Sequence, residues 1–190
     1  MANKSFQFCF KVILSGFIAI SLSACSSDNA KEPTQENAQD IYNELKGTYQ
    51  GSVLVDNIPQ SVIITIANDF SVRRLPLKPI LSRIFTDESM LNEALSSVRD
   101  VTFTASTQNL LVTVYNVCLT MQPTDFIFHV TIGGEDYQIN ALIKSEVYKM
   151  GSNTISVNLE IAELTCDGKP YDLTNASIIY NIDLASKLDN

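Results

Sequence analysis

The 190-residue sequence lacks tryptophan and contains a single histidine, His129. Tryptophan is the preferred stacking platform for sugars, so its absence weighs against carbohydrate processing. With one histidine, a Ser-His-Asp triad or a histidine-ligated zinc site would have to use His129 itself. Apolar residues occupy every second position around it, namely Phe126, Phe128, Val130 and Ile132. In a strand these share one face, so His129 lies on the other, solvent-facing side. No GxSxG or HExxH motif occurs around any residue, so we expect no such catalytic or metal centre.

Positive charge is also scarce. The chain has 13 basic and 21 acidic residues, a formal net charge of −8. If residues 1–24 are removed, two lysines and no acid are lost, and the remaining chain carries −10. Such a surface repels nucleic-acid phosphates and anionic headgroups, so we expect no nucleic-acid partner.

Long apolar runs are limited to residues 12–22, which follow two lysines. This run is shorter than the roughly 20 apolar residues that span a bilayer, and it fits a secretory signal. LSAC at 22–25 resembles the bacterial lipobox, which implies cleavage before Cys25 and attachment of diacylglycerol and a palmitate-type acyl chain to it. We therefore expect a lipid-anchored lipoprotein of the cell envelope. An ordinary signal peptide with a cysteine at its cleavage site is the alternative.

Sorting and domain division follow from the next residues. In enterobacterial lipoproteins, which this segment resembles, aspartate directly after the lipidated cysteine favours retention in the inner membrane, but here Ser26 follows Cys25. SSDN at 26–29 resembles the export tag of surface lipoproteins in gut Gram-negative anaerobes. This favours the outer membrane and leaves the periplasmic or surface face open. Residues 25–37 are predicted to form the lipidated tether, and residues 38–190 a single domain.

The periodicity predicts a mainly β fold. A short helix is expected at 39–46, ended by Gly47. Strands are expected at 48–56, 60–68, 101–106, 110–120, 125–132, 136–147, 154–164 and 176–184, with residues 57–59 as the first hairpin loop. Successive antiparallel strands joined by short turns predict a meander that closes into a calycin-like barrel or sandwich of about eight strands.

One helical insertion interrupts these strands at 79–98. The two prolines of 75–79 exclude a central strand, because each lacks a ladder donor. Pro79 favours a helical turn, and Thr86 with Asp87 favours the start of a second helix. We expect the segment to cover the barrel opening, either as a lid over an apolar interior or as a plug that completes the core.

Two short motifs carry a family resemblance. GTYQG at 47–51 and LPLKPIL at 75–81, taken with the lipobox and tether, resemble small calycin-like lipoproteins of gut Gram-negative anaerobes, a largely uncharacterised group. The resemblance implies a lipocalin-like barrel and no established activity.

A basic cluster stands out in this acidic chain. It holds four of the eleven basic residues that remain after removal of 1–24, all within 73–83. They are Arg73, Arg74, Lys78 and Arg83. The cluster is a candidate site for an anionic ligand or an acidic patch of a partner. Alternatively, it pairs with nearby acids, namely Asp69, Asp87 and Glu88.

Two cysteines remain in the predicted domain. Cys118 and Cys166 form a disulfide or stay as buried thiols, and the sequence leaves both alternatives open. Neither has the CxxC spacing or histidine partner of a reactive or metal-binding thiol.

Two carboxylate pairs could in principle cleave glycosides, Glu135 with Asp136 and Glu160 with Glu163. We expect them to be ordinary solvated side chains. The favoured function is a non-enzymatic binding or interaction module without cofactor or metal, which captures a small apolar or anionic ligand or an envelope protein. The alternative is a hydrolase acting on an envelope or dietary substrate through an unrecognised active site, and a purely structural envelope role stays open.

Overall fold

The computed structural model describes residues 35–98, 100–112, 116–150, 154–174 and 177–188. The predicted signal, Cys25 and most of the tether lie outside these residues. The helices are α1 Gln35–Leu45, α2 Lys78–Ile84 and α3 Glu88–Ser97. The strands are β1 Gly47–Val55, β2 Ile58–Ile66, β3 Asp69–Arg73, β4 Thr102–Val112, β5 Asn116–Met121, β6 Thr124–Ile132, β7 Glu135–Met150, β8 Thr154–Cys166, β9 Lys169–Pro170 and β10 Ile178–Leu188. None of the described helices is both long and apolar enough to cross a membrane.

The strands form a closed antiparallel barrel. Successive strands pair with each other from β1 to β5 and from β6 to β9, and β10 closes the barrel by pairing with both β1 and β8. On β7, β5 pairs with residues 146–150 and β6 pairs with residues 135–143, so β5 and β6 act as one bent strand. The barrel therefore has eight strands, which confirms the predicted meander and decides for the barrel over the sandwich.

The predicted boundaries of the first hairpin loop and of the strand at 110–120 are wrong, and each error has a physical reason. The first hairpin turns at Asp56 and Asn57, whose φ angles are 53° and 64°, so Ile58 and Pro59 belong to β2. A two-residue turn of this type requires positive φ at both positions, which Asp and Asn tolerate. The predicted strand 110–120 in fact contains the end of β4 and most of β5, which pair with each other. Its β-branched and apolar residues include no Gly or Pro that would mark a turn.

The N-terminal helix is longer than predicted. It begins at Gln35, inside the segment assigned to the tether, and ends at Leu45 as the glycine at 47 indicated. The added residues are Gln, Glu, Asn and Ala, three of which are good helix formers although they have no apolar periodicity.

The barrel interior is a packed apolar core. Inward-facing positions alternate with exposed ones along β1 and β6, which confirms the alternation predicted for β6. Phe70 meets Phe103 edge-on at 6.4 Å between ring centroids, and Phe103 meets Phe126 at 5.9 Å. Tyr180 is also among the largest fully buried side chains. Aromatic and aliphatic side chains of this size fill the interior of an eight-stranded barrel.

Helix α1 packs at the end of the barrel that holds the β2–β3 turn. Leu45 is buried in the core, and the Tyr42 hydroxyl donates to the Ala67 carbonyl in that turn. Glu44 and Lys149 form an ion pair at 3.4 Å between the helix and β7. These contacts close this end of the barrel.

Helices α2 and α3 close the opposite end, and we call the segment 75–97 the helical plug. Six of its side chains are buried in the barrel core: Leu75, Leu77, Ile80, Leu81, Phe85 and Ala94. The Tyr180 hydroxyl donates to the Pro76 carbonyl at 2.8 Å, which joins β10 to the plug. Because these side chains share one core with the strands, the segment completes the core rather than covering an empty interior.

The plug also protects the outer edge of β6. The amide of Thr131 donates to the Ser97 hydroxyl at 2.9 Å, and the amide of Gly133 donates to a Glu93 carboxylate at 2.8 Å. Asp87 caps α3 by accepting from the Met90 amide at 3.0 Å. Side chains of α3 thus satisfy edge donors that would otherwise be available to another strand.

Candidate functional site

The basic cluster leads to an open groove at the plugged end of the barrel. One wall is the end of the β1–β2 hairpin, the second is α2, and the third is the start of β10. The groove has a volume of about 530 Å³ and is lined by residues 54–56, Lys78, Pro79, Ser82, Arg83 and 177–179. We call it the hairpin groove. It exists because the type of turn at 56–57 extends the hairpin beyond the end of β3, which pairs with β2 only from Ile63 onward.

Two cations of the cluster meet in this groove, and they differ in their partners. Lys78 Nζ lies 2.6 Å from Asp56 Oδ2, and this hydrogen bond raises the pKa of Lys78. The pair is exposed, so its contribution to stability is small. The exposed guanidinium of Arg83 makes no hydrogen bond or ion pair with the part of the chain that the structure describes. Arg83 is therefore the donor that the groove offers to an anion.

Apolar surface lies beside these charges. Leu54 lines the groove and is 67% exposed, and Ile58, on the other strand of the same hairpin, is 62% exposed. A charged donor next to exposed aliphatic carbon suits a ligand with an anionic head and an apolar portion.

The other two members of the cluster point elsewhere. Arg73 lies at the end of β3, between Ile63 and Thr102, and Arg74 follows it with a φ of 61°. Both are exposed and neither lines the hairpin groove. The sequence-based grouping therefore joins two separate pairs of cations, since the chain turns sharply after β3.

The expected acidic partners of the cluster are also different. Among the described residues, no ion pair links the cluster to Asp69, Asp87 or Glu88, and Lys78 uses Asp56 instead. Asp56 lies 22 positions earlier in a hairpin turn, and only closure of the barrel end brings the two together.

The two cysteines cannot form a disulfide within one chain. Cys118 lies opposite Tyr148 on β7, and Cys166 lies opposite Ile139 on the same strand. Nine residues at about 3.3 Å each separate them by roughly 30 Å, whereas a disulfide needs Cα atoms within about 7 Å. The disulfide alternative is wrong, and both are buried thiols. Burial raises the pKa of the Cys166 thiol, which lowers its reactivity.

The predicted solvent-facing position of His129 is confirmed. His129 is exposed on β6 opposite Gln138, on the outer face of the barrel. Within the described ranges, no three His, Cys, Asp or Glu side chains come together in a way that would hold a metal ion.

The carboxylate pairs have different surroundings. Asp136 accepts from the Thr131 hydroxyl at 2.6 Å at the β6–β7 hairpin, where it is exposed as expected. Glu160 and Glu163 line a second groove of about 500 Å³, together with Asp172 and other residues of β7, β8 and the chain after β9. A bulge in the β7–β8 pairing turns both glutamates outward, although they are three positions apart.

A family comparison identifies this domain. A family model described as a domain of unknown function, DUF4840, matches residues 44–166. The chain belongs to the DUF4840 family. No curated protein and no solved structure matches it.

The DUF4840 match covers both motifs singled out in the sequence and all four residues of the basic cluster. It ends at Cys166, whereas β10 lies beyond it and closes the barrel. Residues 177–179, which form one wall of the hairpin groove, therefore come from outside the matched region.

Proposed function

We propose that this DUF4840 protein is a lipid-anchored envelope lipoprotein with a calycin-like barrel that acts as a non-enzymatic binding module. The lipobox supports the anchor on Cys25, and the eight-stranded meander is in keeping with the calycin-like resemblance. Because apolar side chains fill the barrel interior, binding takes place on its outside. The observation that carries the proposal is the exposed Arg83 guanidinium in the hairpin groove, which has no hydrogen-bond or ion-pair partner among the described residues.

The ligand class follows from that groove. Arg83 binds a carboxylate or phosphate through charge-assisted hydrogen bonds, and Leu54 contacts a short apolar portion of the same molecule. Lys78 contributes less, because Asp56 already accepts its hydrogen bond. The ligand is therefore a small anionic amphiphile, and an acidic, partly apolar segment of an envelope protein is the other occupant with this chemistry.

Titration with an environment-sensitive anionic fatty-acid probe tests the proposal, using residues 26–190 without the lipid. Arg83→Ala should weaken probe binding about 10- to 100-fold, the value of one or two hydrogen bonds to a charged group. Arg74→Ala is the matched control, since Arg74 is an exposed arginine outside the groove. Its affinity should stay within about twofold of the unaltered protein.

An equal loss in the two variants would mean that binding depends on net charge and not on the groove. Absence of probe binding would overturn the small-ligand version and leave the protein segment as occupant. Capture of an envelope protein that depends on Arg83 and not on Arg74 would then support that second version.

The anchor is tested separately. Cys25→Ser should release the protein from membranes or leave its precursor uncut, and it should abolish incorporation of labelled palmitate. Density-gradient separation of the unaltered protein should place it with the outer membrane. A variant that fractionates and migrates as the unaltered protein does would refute the lipoprotein proposal.

A hydrolase is the second candidate, and the second groove is the observation that favours it. Glu160 and Glu163 face the same side of β8, with their Cα atoms up to about 10 Å apart across the bulge, whereas the two carboxyl groups of glycosidases lie about 5–9.5 Å apart. Side-chain rotation would have to close this distance. Hydrolysis of envelope or dietary glycosides that is lost in Glu160→Gln and in Glu163→Gln would establish this candidate over the binding module.

A further inference from the structure

In the described part of the barrel wall, the hydrogen-bonded ladder is interrupted on the β5–β6 side of β7. β6 pairs with β7 as far as Ile143, and β5 pairs with it from Glu146 onward. Lys144 and Ser145 lie between them without a ladder partner on that side in the described chain. Pro123 stands opposite this point and has no amide to donate.

The residue before that proline is diverted as well. The amide of Gln122 donates to the Ser106 carbonyl on β4 at 2.9 Å, and the Gln122 carbonyl accepts from the Thr124 hydroxyl at 2.9 Å. The Gln122 amide is therefore not available to β7. The break is therefore built into the bend that joins β5 to β6.

A crevice of about 200 Å³ lies against this break, and we call it the wall crevice. Met121 and Pro123 form its apolar side. The remaining lining residues are polar or charged and come from β4, β5, β7 and β8: Gln108, Thr120, Lys144, Ser145, Glu146, Asn158 and Glu160. The crevice lies on a different part of the barrel from the hairpin groove, and the two share no residue.

Two lining residues hold buried oxygen atoms that lack a hydrogen-bond partner among the described residues. They are Ser145 Oγ, on a side chain that is only 1% exposed, and Asn158 Oδ1. Most buried polar groups in folded proteins are hydrogen-bonded, and leaving one unpaired costs about 1–3 kcal/mol. Ser145 lies on the inward face of β7 with the buried Ile143 and Val147, whereas Asn158 lies opposite Glu146 on the outward face. Asn158 Oδ1 is therefore the oxygen that a donor from outside the chain would stabilise.

The charges of the crevice define that donor. Glu160 lies directly across the strands from Lys144, and Asn158 lies across from Glu146. Two carboxylates thus face one ammonium, and the whole chain carries a net charge of −8. Asn158 Oδ1 can only accept, so the missing group must donate. A cationic donor satisfies both requirements, because it bonds the amide oxygen and neutralises the excess carboxylate.

We propose that the wall crevice binds a small primary ammonium compound with a short apolar chain. The ammonium group donates to Asn158 Oδ1 and to the carboxylate of Glu146 or Glu160. The apolar chain packs on Met121 and Pro123. Such a group occurs in simple amines and in free amino acids. Lys144 distinguishes these two classes, because it can bind the carboxylate that only an amino acid has. This site does not depend on the hairpin groove.

Four probes with nearly the same branched chain test the proposal on the full chain in non-ionic detergent: 3-methylbutylamine, leucine, 3-methylbutanol and 4-methylpentanoate. Methyl-labelled methionine reports binding by NMR, because Met121 lines the crevice while Met90 lies on α3 in the plug. Saturable shifts of the Met121 signal are expected with the amine, and the Met90 signal should stay unchanged. The alcohol and the acid should bind at least about tenfold more weakly, since each lacks the charge-assisted donor.

Asn158→Ala and Asn140→Ala form a matched pair. Asn140 also holds a buried oxygen that has no partner in the described part of the chain, but it does not line the crevice. Asn158→Ala should weaken amine binding about tenfold or more, and Asn140→Ala should leave it within about twofold. Lys144→Gln should weaken binding of leucine but not of the amine if amino acids are the natural ligands. If leucine does not bind, simple amines are the class.

Arg83→Ala should have no effect on the Met121 shifts, so failure of the hairpin groove and failure of the wall crevice are distinguishable. The proposal is overturned if no probe shifts Met121, in which case water alone fills the crevice. It is also overturned if the alcohol or acid binds as well as the amine, or if both asparagine variants lose binding equally.

Discussion

Replacing Leu81 by alanine tests whether the helical plug belongs to the barrel core. Leu81 lies on α2 and is fully buried among strand residues. Its replacement removes three carbon atoms, worth about 2.4 kcal/mol at about 0.8 kcal/mol for each buried carbon. A residual cavity adds to this loss, and buried Leu→Ala changes cost about 2–5 kcal/mol in total.

We expect the cost of Leu81→Ala to fall in the lower half of that range. Helix α2 has only seven residues and its N-terminal cap, Leu77, makes no side-chain hydrogen bond. Such a short helix can shift toward the space left behind, which reduces the cavity. We therefore expect the free energy of unfolding to fall by about 3 kcal/mol, equivalent to a decrease in Tm of about 6–12 °C.

Urea unfolding of residues 26–190, followed by circular dichroism, measures this change, and the m-value should stay constant. Met90→Ala is the control, because Met90 lies on α3 of the same plug and is 38% exposed. Its cost should be below about 1 kcal/mol. If Leu81→Ala also costs less than about 1 kcal/mol, the plug does not share the barrel core, and the reasoning that places ligands outside the barrel fails with it.

Two further predictions concern the buried polar and thiol groups. Tyr180→Phe should lower the free energy of unfolding by about 1–3 kcal/mol, because it leaves the buried Pro76 carbonyl without its donor. Tyr171→Phe is the control, because the Tyr171 hydroxyl makes no hydrogen bond within the described residues, and it should change the free energy by less than about 0.5 kcal/mol. Equal effects of the two variants in urea unfolding would contradict the role of the Tyr180 hydrogen bond. Cys118 and Cys166 should resist alkylation in the folded domain at pH 8 and both react after unfolding without reductant. Intact-mass measurement after unfolding that found neither thiol labelled would contradict the 30 Å separation derived from the strand register.

The broad architecture of the protein could be predicted from its sequence. The spacing of Phe126, Phe128 and Val130 predicts the alternating burial along β6, because side chains of a strand point to opposite faces with a period of two. The same pattern placed His129 outside. Prolines 76 and 79 excluded a strand between β3 and β4, which located the helical plug. These features depend on residues close together in the chain.

The location of each candidate site was decided only by the tertiary structure. Lys78 meets Asp56 because a two-residue turn extends the first hairpin over α2, and a shift of that turn by one residue would have turned Asp56 away. The wall crevice exists because Pro123 falls opposite Lys144 in the barrel register. Cys118 and Cys166 are separated because both pair with β7 near its opposite ends. Local periodicity reports which face of a strand is buried, whereas register and barrel closure decide which distant residues share a groove.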